Sequence, residues 1–215
     1  MPKNTQREFK IELLNSAQKL AWAAFQKHDV LFLIGPAGCG KTYIATAFAI
    51  KSLLSREKDK IILTRPIVEA GESLGFLPGD FYEKVNPYMM PIYDCMDKLV
   101  GIDGTRREKI LEKTEVCPLA FMRGRSFGNS VCIFDESQNA TKEQIKLFMS
   151  RFEKNSKLII TGDPRQSDIG KSSALMDVVN RLKGVPGIGI VEFQNNSILR
   201  HPLVGAILEK LEAEV

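Results

Sequence analysis

Residues 30–42 read VLFLIGPAGCGKT. Five consecutive apolar residues, Val30 to Ile34, have the length and composition of a short buried strand. They run without a break into Gly-x-x-x-x-Gly-Lys-Thr, and the helix-forming stretch Thr42 to Ser55 follows. A strand, a glycine-rich turn and a helix in that order form the phosphate-binding loop of nucleoside triphosphatases. The glycines let the backbone bend so that successive N–H groups face phosphate oxygens, and the helix N-terminus adds the positive end of its dipole. Lys41 can reach the β and γ phosphates, and the Thr42 hydroxyl can ligate Mg²⁺. The expected nucleotide-holding set is Gly35, Pro36, Ala37, Gly38, Cys39, Gly40, Lys41, Thr42 and Tyr43. A chance glycine-rich turn would not bring both flanking elements with it.

Outward from this loop, four more short apolar runs read as buried strands: Lys60 to Thr64, Val131 to Phe134, Lys157 to Thr161 and Ile188 to Phe193. Near-continuous apolar runs suit a parallel sheet covered on both faces. Helix-like stretches lie between or after them: Thr141 to Phe152, Ser172 to Leu182 and Pro202 to Glu214. The alternation predicts an α/β, three-layer fold with a parallel sheet of about five strands. An N-terminal helix, roughly Ser16 to Gln26, carries Ala17, Leu20, Ala21, Ala24 and Phe25 as one apolar stripe. The stretch from Arg65 to Asn129 is too long for a simple crossover, so a helical insertion is expected at about Asp80 to Lys113. Nothing resembles a linker, and residues 1–215 read as one domain.

Two of the other strands end in chemistry. Val131-Cys132-Ile133-Phe134 leads into Asp135-Glu136. Asp135 at a strand's C-terminal end can hold the Mg²⁺ shell, and Glu136 is placed to orient or deprotonate an attacking water. Leu158 to Thr161 leads into Gly162-Asp163, with Gln166 three residues on, where a polar side chain can sense the γ-phosphate. Two features have open readings. Gln18 is either a solvated helix residue or an amide that pairs with the adenine edge. Arg123-Gly124-Arg125-Ser126-Phe127 is either an exposed basic loop or a phosphate contact with an aromatic base platform.

Composition narrows the function class. The chain is 44% hydrophobic and 26% charged, an ordinary globular balance, and its net charge of +4 permits nucleic-acid binding without demanding it. No run approaches a membrane span and MPKNTQREFK is not a signal peptide, so a cytoplasmic location is expected. Four scattered cysteines and two distant histidines offer no zinc site or disulfide framework. No Asn-Lys-x-Asp run is present to read guanine. A small-molecule kinase would need its acceptor pocket and an arginine-rich lid in the insertion, where Arg106 and Arg107 stand, but the carboxylate pair suits hydrolysis better than transfer.

The order of these motifs resembles the PhoH-like protein family. The resemblance rests on Gln18, GPAGCGKT, Thr64-Arg65-Pro66, residues 69–80 (EAGESLGFLPGD), Met122-Arg123-Gly124-Arg125, Phe134 to Asn139, Thr161-Gly162-Asp163 with Gln166, and Leu199-Arg200-His201-Pro202. Ser173-Ala174-Leu175, where the family commonly has Ser-Gly-Leu, is a mild departure. The resemblance implies a single RecA-like core related to superfamily 1 helicases, with sheet order 5-1-4-3-2 in the numbering of the five expected strands. It implies ATP and Mg²⁺ as ligands, ATPase and helicase-like activity on RNA, adenine recognition by Gln18, and phosphate sensing by Gln166 and Arg200. Arg65, Arg123, Arg125 and Phe127 are assigned to single-stranded RNA or DNA. Compact relatives occur in bacteria and phages, so a phage origin fits. One core per chain would need a facing surface from another subunit, which predicts a homo-oligomeric ring, a hexamer, with Arg200 completing the neighbouring site. The alternative is an ATP-dependent switch or assembly factor whose partner is another protein.

Overall fold

The computed structural model describes residues 9–67, 81–102, 104–169 and 174–194. Its elements in chain order are α1 (Ser16–Lys27), β1 (Val30–Ile34), α2 (Lys41–Leu54), β2 (Lys60–Thr64), α3 (Phe81–Val100), α4 (Thr105–Glu112), β3 (Thr114–Val116), β4 (Ser130–Phe134), α5 (Lys142–Met149), β5 (Lys157–Gly162), α6 (Leu175–Leu182) and β6 (Ile188–Glu192). Among the described residues all strand pairs are parallel, in the order β3-β2-β4-β5-β1-β6. Read from the other edge, the five expected strands keep the order that the resemblance implied. The described sheet has six strands rather than five because β3 extends the β2 edge.

The two-residue period of the strands divides the apolar runs between two cores. Leu31, Leu33, Ile61, Leu63, Val131, Ile133 and Ile159 face α1, α2 and α3. Val30, Phe32, Ile62, Cys132, Phe134, Leu158 and Ile160 face α5 and α6. Burial on both faces is why these strands show no polar alternation. On the first face α1 lies against α2, with Phe25 and Phe48 ring centroids 5.0 Å apart and Trp22 5.1 Å from Phe48.

Helix ends are closed by side chains. The Asn15 carboxamide accepts the Gln18 N–H at the start of α1. At the other end the Lys157 ammonium donates to the Phe25 and His28 carbonyls at 2.6 and 2.7 Å, which ties α1 to the base of β5. Burial pushes the Lys157 pKa down. Thr141 and Gln144 form a reciprocal capping box at α5. The insertion is helical as expected, with α3 running through Pro87 and Pro91. Residues 69–80, the proposed Pro202–Glu214 helix and Arg200 lie outside the described residues.

Candidate functional site

In the sheet, β4, β5 and β1 are consecutive, so their C-terminal ends open onto one place. Ile34 pairs with Gly162, and Phe134 with Ile160. The phosphate-binding loop, Asp135-Glu136 and Asp163 therefore converge, as parallel topology requires.

The loop leaves β1 at Gly35, whose N–H donates to the Gly162 carbonyl at 3.1 Å. A Cβ at Gly35 would stand 2.4 Å from the Phe193 carbonyl oxygen, so only glycine fits beside β6. Gly38 and Gly40 have φ of 81° and 85°, the left-handed geometry that curls the backbone before α2. Lys41 opens α2, and its buried ammonium arches back onto the Gly35 and Pro36 carbonyls at 2.7 and 2.8 Å. Both acceptors are neutral, so the positive charge and the helix N-terminus remain electrostatically suited to an anion. Cys39 packs beneath, its thiol donating to the Pro36 carbonyl. Burial pushes its pKa up, against the opposing effect of Lys41. Tyr43 stands half-buried on the first turn of α2, its pKa raised chiefly by burial. A cleft of ≈ 580 Å³ beside the loop is lined by Gly35, Pro36, Arg165 and Phe193 among others.

Asp135 is 1% exposed. One oxygen accepts from the Thr42 hydroxyl at 2.8 Å and the Thr161 hydroxyl at 2.5 Å. A hydroxyl and a carboxylate held together, next to a phosphate-binding turn, form the hard-oxygen donor set that Mg²⁺ takes alongside phosphates and water. The residues present thus fit both the triphosphate and its cation.

Glu136 follows in a left-handed conformation, φ 54° and ψ 41°. For a non-glycine residue this costs about 1–3 kcal/mol and persists only where the surroundings over-determine it. Here they do. One carboxylate oxygen lies 3.2 Å from an Arg65 guanidinium nitrogen, and the other accepts from the Gln138 amide at 2.6 Å.

Asp163 and Gln138 make contacts that sequence reasoning missed. The Asp163 carboxylate accepts the Ala37 N–H of the loop at 2.8 Å, and Gln138 accepts the Asp163 N–H at 3.0 Å. Ser137 donates to the Thr161 carbonyl at 2.6 Å. The signal was present in the runs DESQN and GD; what they reach across the sheet was not. Gln166 lies exposed in the following turn, its N–H on the Asp163 carbonyl.

Of the four residues expected at nucleic acid, Phe127, Arg125 and Arg65 meet a different geometry, and the choice left open at Gln18 narrows. Gln18 is fully buried rather than solvated; its carbonyl accepts the Leu14 N–H at 2.7 Å. Its NH₂ group finds no hydrogen-bond partner among the described residues. Phe127 cannot serve as a base platform, because it is 0% exposed and sits in the core beneath β4 and α5. Arg125 stacks 5.5 Å from the Phe127 ring centroid, pairs with Glu115 and bonds the Cys117 sulfur. Arg65, also expected to touch nucleic acid, instead contacts Glu136 and the Tyr88 carbonyl. Of the four, Arg123 alone is exposed.

A family model described as "PhoH-like protein" matches residues 10–212. The chain belongs to the PhoH-like protein family. It is 45% identical over 208 residues to a PhoH-like protein of Bacillus subtilis, covering 95% of this chain and 65% of that one. It is 46% identical to one from Synechocystis over 88% of this chain and 58% of the relative. Protein PhoH of Escherichia coli is 41% identical over 88% of this chain and 54% of its own length. The chain thus spans roughly half to two thirds of these curated relatives. Among solved structures, the large terminase of a thermophilic bacteriophage superposes with a TM-score of 0.61 at 11% identity, covering 95% of this chain and 52% of the terminase. The Sulfolobus solfataricus SWI2/SNF2 ATPase core in complex with dsDNA gives 0.51 at 13%, covering 90% and 47%. At such identities the likeness concerns fold, and it places the chain among RecA-like P-loop architectures.

Proposed function

We propose that this chain hydrolyses ATP with Mg²⁺ and couples hydrolysis to nucleic acid, with RNA the first candidate. The observation that carries the hydrolytic reading is the Thr42–Asp135 hydrogen bond beside the loop whose carbonyls hold Lys41, at one end of the sheet. When bound, the cation would neutralise charge on the β and γ phosphates. Loop N–H groups and the Lys41 ammonium hold the phosphates, and Lys41 leaves two neutral carbonyls to do so. Glu136 orients the attacking water and takes its proton. Gln166 reads the γ-phosphate, and the buried, unpartnered amide of Gln18 pairs with adenine once it is uncovered. The phage terminase that shares the fold has also been solved in complex with ADP, which supports a nucleotide as the ligand.

The coupling to nucleic acid draws support from the family and from the dsDNA complex of the SWI2/SNF2 neighbour. Within this reading the active form is a homo-oligomeric ring, a hexamer, with Arg200 reaching the neighbouring site. The second reading, a protein-directed switch, gains from the burial of Phe127 and the internal pairing of Arg65 and Arg125. Measuring ATPase rate against single-stranded RNA and DNA separates the two. Stimulation that fades steeply with salt supports a nucleic-acid enzyme. Indifference to both polymers supports the switch.

A further inference from the structure

Arg65 joins two parts of the molecule that belong to different segments of the chain. One guanidinium nitrogen donates to the Tyr88 carbonyl in the middle of α3 at 2.9 Å; the other lies 3.2 Å from Glu136. Tyr88 stands between Pro87 and Pro91, the two prolines inside α3. Pro91 brings no N–H to the Pro87 carbonyl and its ring crowds that turn, so the helix is loosened beside the Tyr88 carbonyl that Arg65 takes. The second Glu136 oxygen is held by Gln138, Gln138 holds the Asp163 N–H, and Asp163 holds the Ala37 N–H. One unbroken series of bonds therefore runs from the insertion to the phosphate-binding loop.

We propose that Arg65 is a positioning residue that restrains hydrolysis by holding the Glu136 carboxylate against α3, and that displacement of α3 releases it. The inference rests on reading Glu136 as the group that orients water. Both Glu136 oxygens are directed at donors, one at Arg65 and one at Gln138, so the carboxylate is held on both sides. Turning toward a water at the phosphate requires giving up the Arg65 contact. A planar guanidinium can grip a carbonyl and a carboxylate together, so movement of α3 carries the grip with it. Arg65 thereby takes a place between the insertion and the site, rather than on a nucleic-acid surface.

The test compares wild type with Arg65→Ala, Arg65→Lys and Glu136→Ala, reading steady-state ATPase and hydrogen exchange over α3. Arg65→Ala should raise basal kcat on the order of tenfold, the scale of one charge-assisted hydrogen bond, with KM for ATP unchanged. Arg65→Lys should fall between, because one ammonium cannot reproduce the two-handed grip. Exchange over α3 should quicken in both Arg65→Ala and the non-hydrolysing Glu136→Ala. A fall in kcat in Arg65→Ala would overturn the restraint. So would unchanged kcat and α3 exchange with weakened single-stranded RNA binding, which returns Arg65 to nucleic acid. Should Arg65→Ala not fold, unchanged α3 exchange in Glu136→Ala still sinks the proposal. The underlying reading fails separately, if wild type shows no ATPase that Lys41→Ala removes or if Glu136→Gln keeps full turnover.

Discussion

The phosphate end of the sheet and the Arg123–Phe127 loop contain similar raw material, namely glycines, cations and a neighbouring carboxylate, and they use it in opposite ways. At the phosphate end, glycines at positive φ expose N–H groups, and Lys41 rests on neutral carbonyls. At the loop, the Arg125 guanidinium is already balanced by Glu115 and laid over a buried ring. A cation whose partners are neutral keeps its capacity for an anion; a cation matched by a carboxylate has largely used it. Residue type alone does not distinguish the two cases, but the identity of the partner does.

The sharpest way to break this contrast is at Lys41. Lys41→Ala should reduce ATP turnover to background, a loss of at least ~10²–10³-fold, the scale of removing one preorganised charge at a phosphoryl-transfer site. Nucleotide affinity should weaken with it, while thermal unfolding shows the fold intact. Near-normal turnover in the folded variant would remove the hydrolytic reading. Glu136→Gln tests the same end more finely. It should bind Mg-ATP at close to wild-type affinity yet lose ~10²–10⁴-fold in kcat. Binding and turnover lost together would mark Glu136 as part of the binding architecture instead.

How much of this was visible in the sequence depends on what carries each feature. The phosphate-binding loop and Asp135 were legible because backbone geometry and strand ends carry them, and both leave residue-by-residue signatures. The five principal strands were legible because burial on two faces makes their apolar runs continuous. β3 was not, since Thr114-Glu115-Val116 is short, half-buried and held by pairing to β2 rather than by an apolar run. The grip of Asp163 on Ala37 spans 126 residues and follows only from strand order. Phe127 was misread because Ser126 and Gly128 make its surroundings look like a solvated loop. Its backbone meets Arg151, Phe152 and Ser156, the last of them 29 residues on, and that proximity carries no mark in the local sequence.

Phe127 also offers the next test. Phe127→Ala should cost about 3–5 kcal/mol of folding stability, the range for removing a fully buried phenylalanine, as read by denaturant unfolding. Any loss of RNA affinity should vanish when corrected for the folded fraction. A variant of wild-type stability with weakened RNA binding would restore the ring as a base platform.

The smallest effect separates the two arginines of the loop. Phosphate contacts reveal themselves through counterion release: each neutralised phosphate of a single strand contributes about 0.7 to the slope of log affinity against log salt. Arg123 is exposed, so if this loop touches nucleic acid Arg123 is the residue placed to do it. Arg123→Ala should then flatten the slope by about that one contact. Arg125 must first give up Glu115 and the Phe127 face, and a half-exposed, solvent-screened pair of this kind is worth only about 0–1 kcal/mol, so its removal should barely alter stability. If the pairing holds in the complex, Arg125→Ala leaves the salt slope unchanged while Arg123→Ala shifts it. Equal shifts from both would mean that nucleic acid pulls Arg125 off Glu115, and the Glu115→Gln variant would then bind more tightly than wild type. No shift from either would make the loop a solvated surface, and nucleic acid would have to be sought on another face of the molecule.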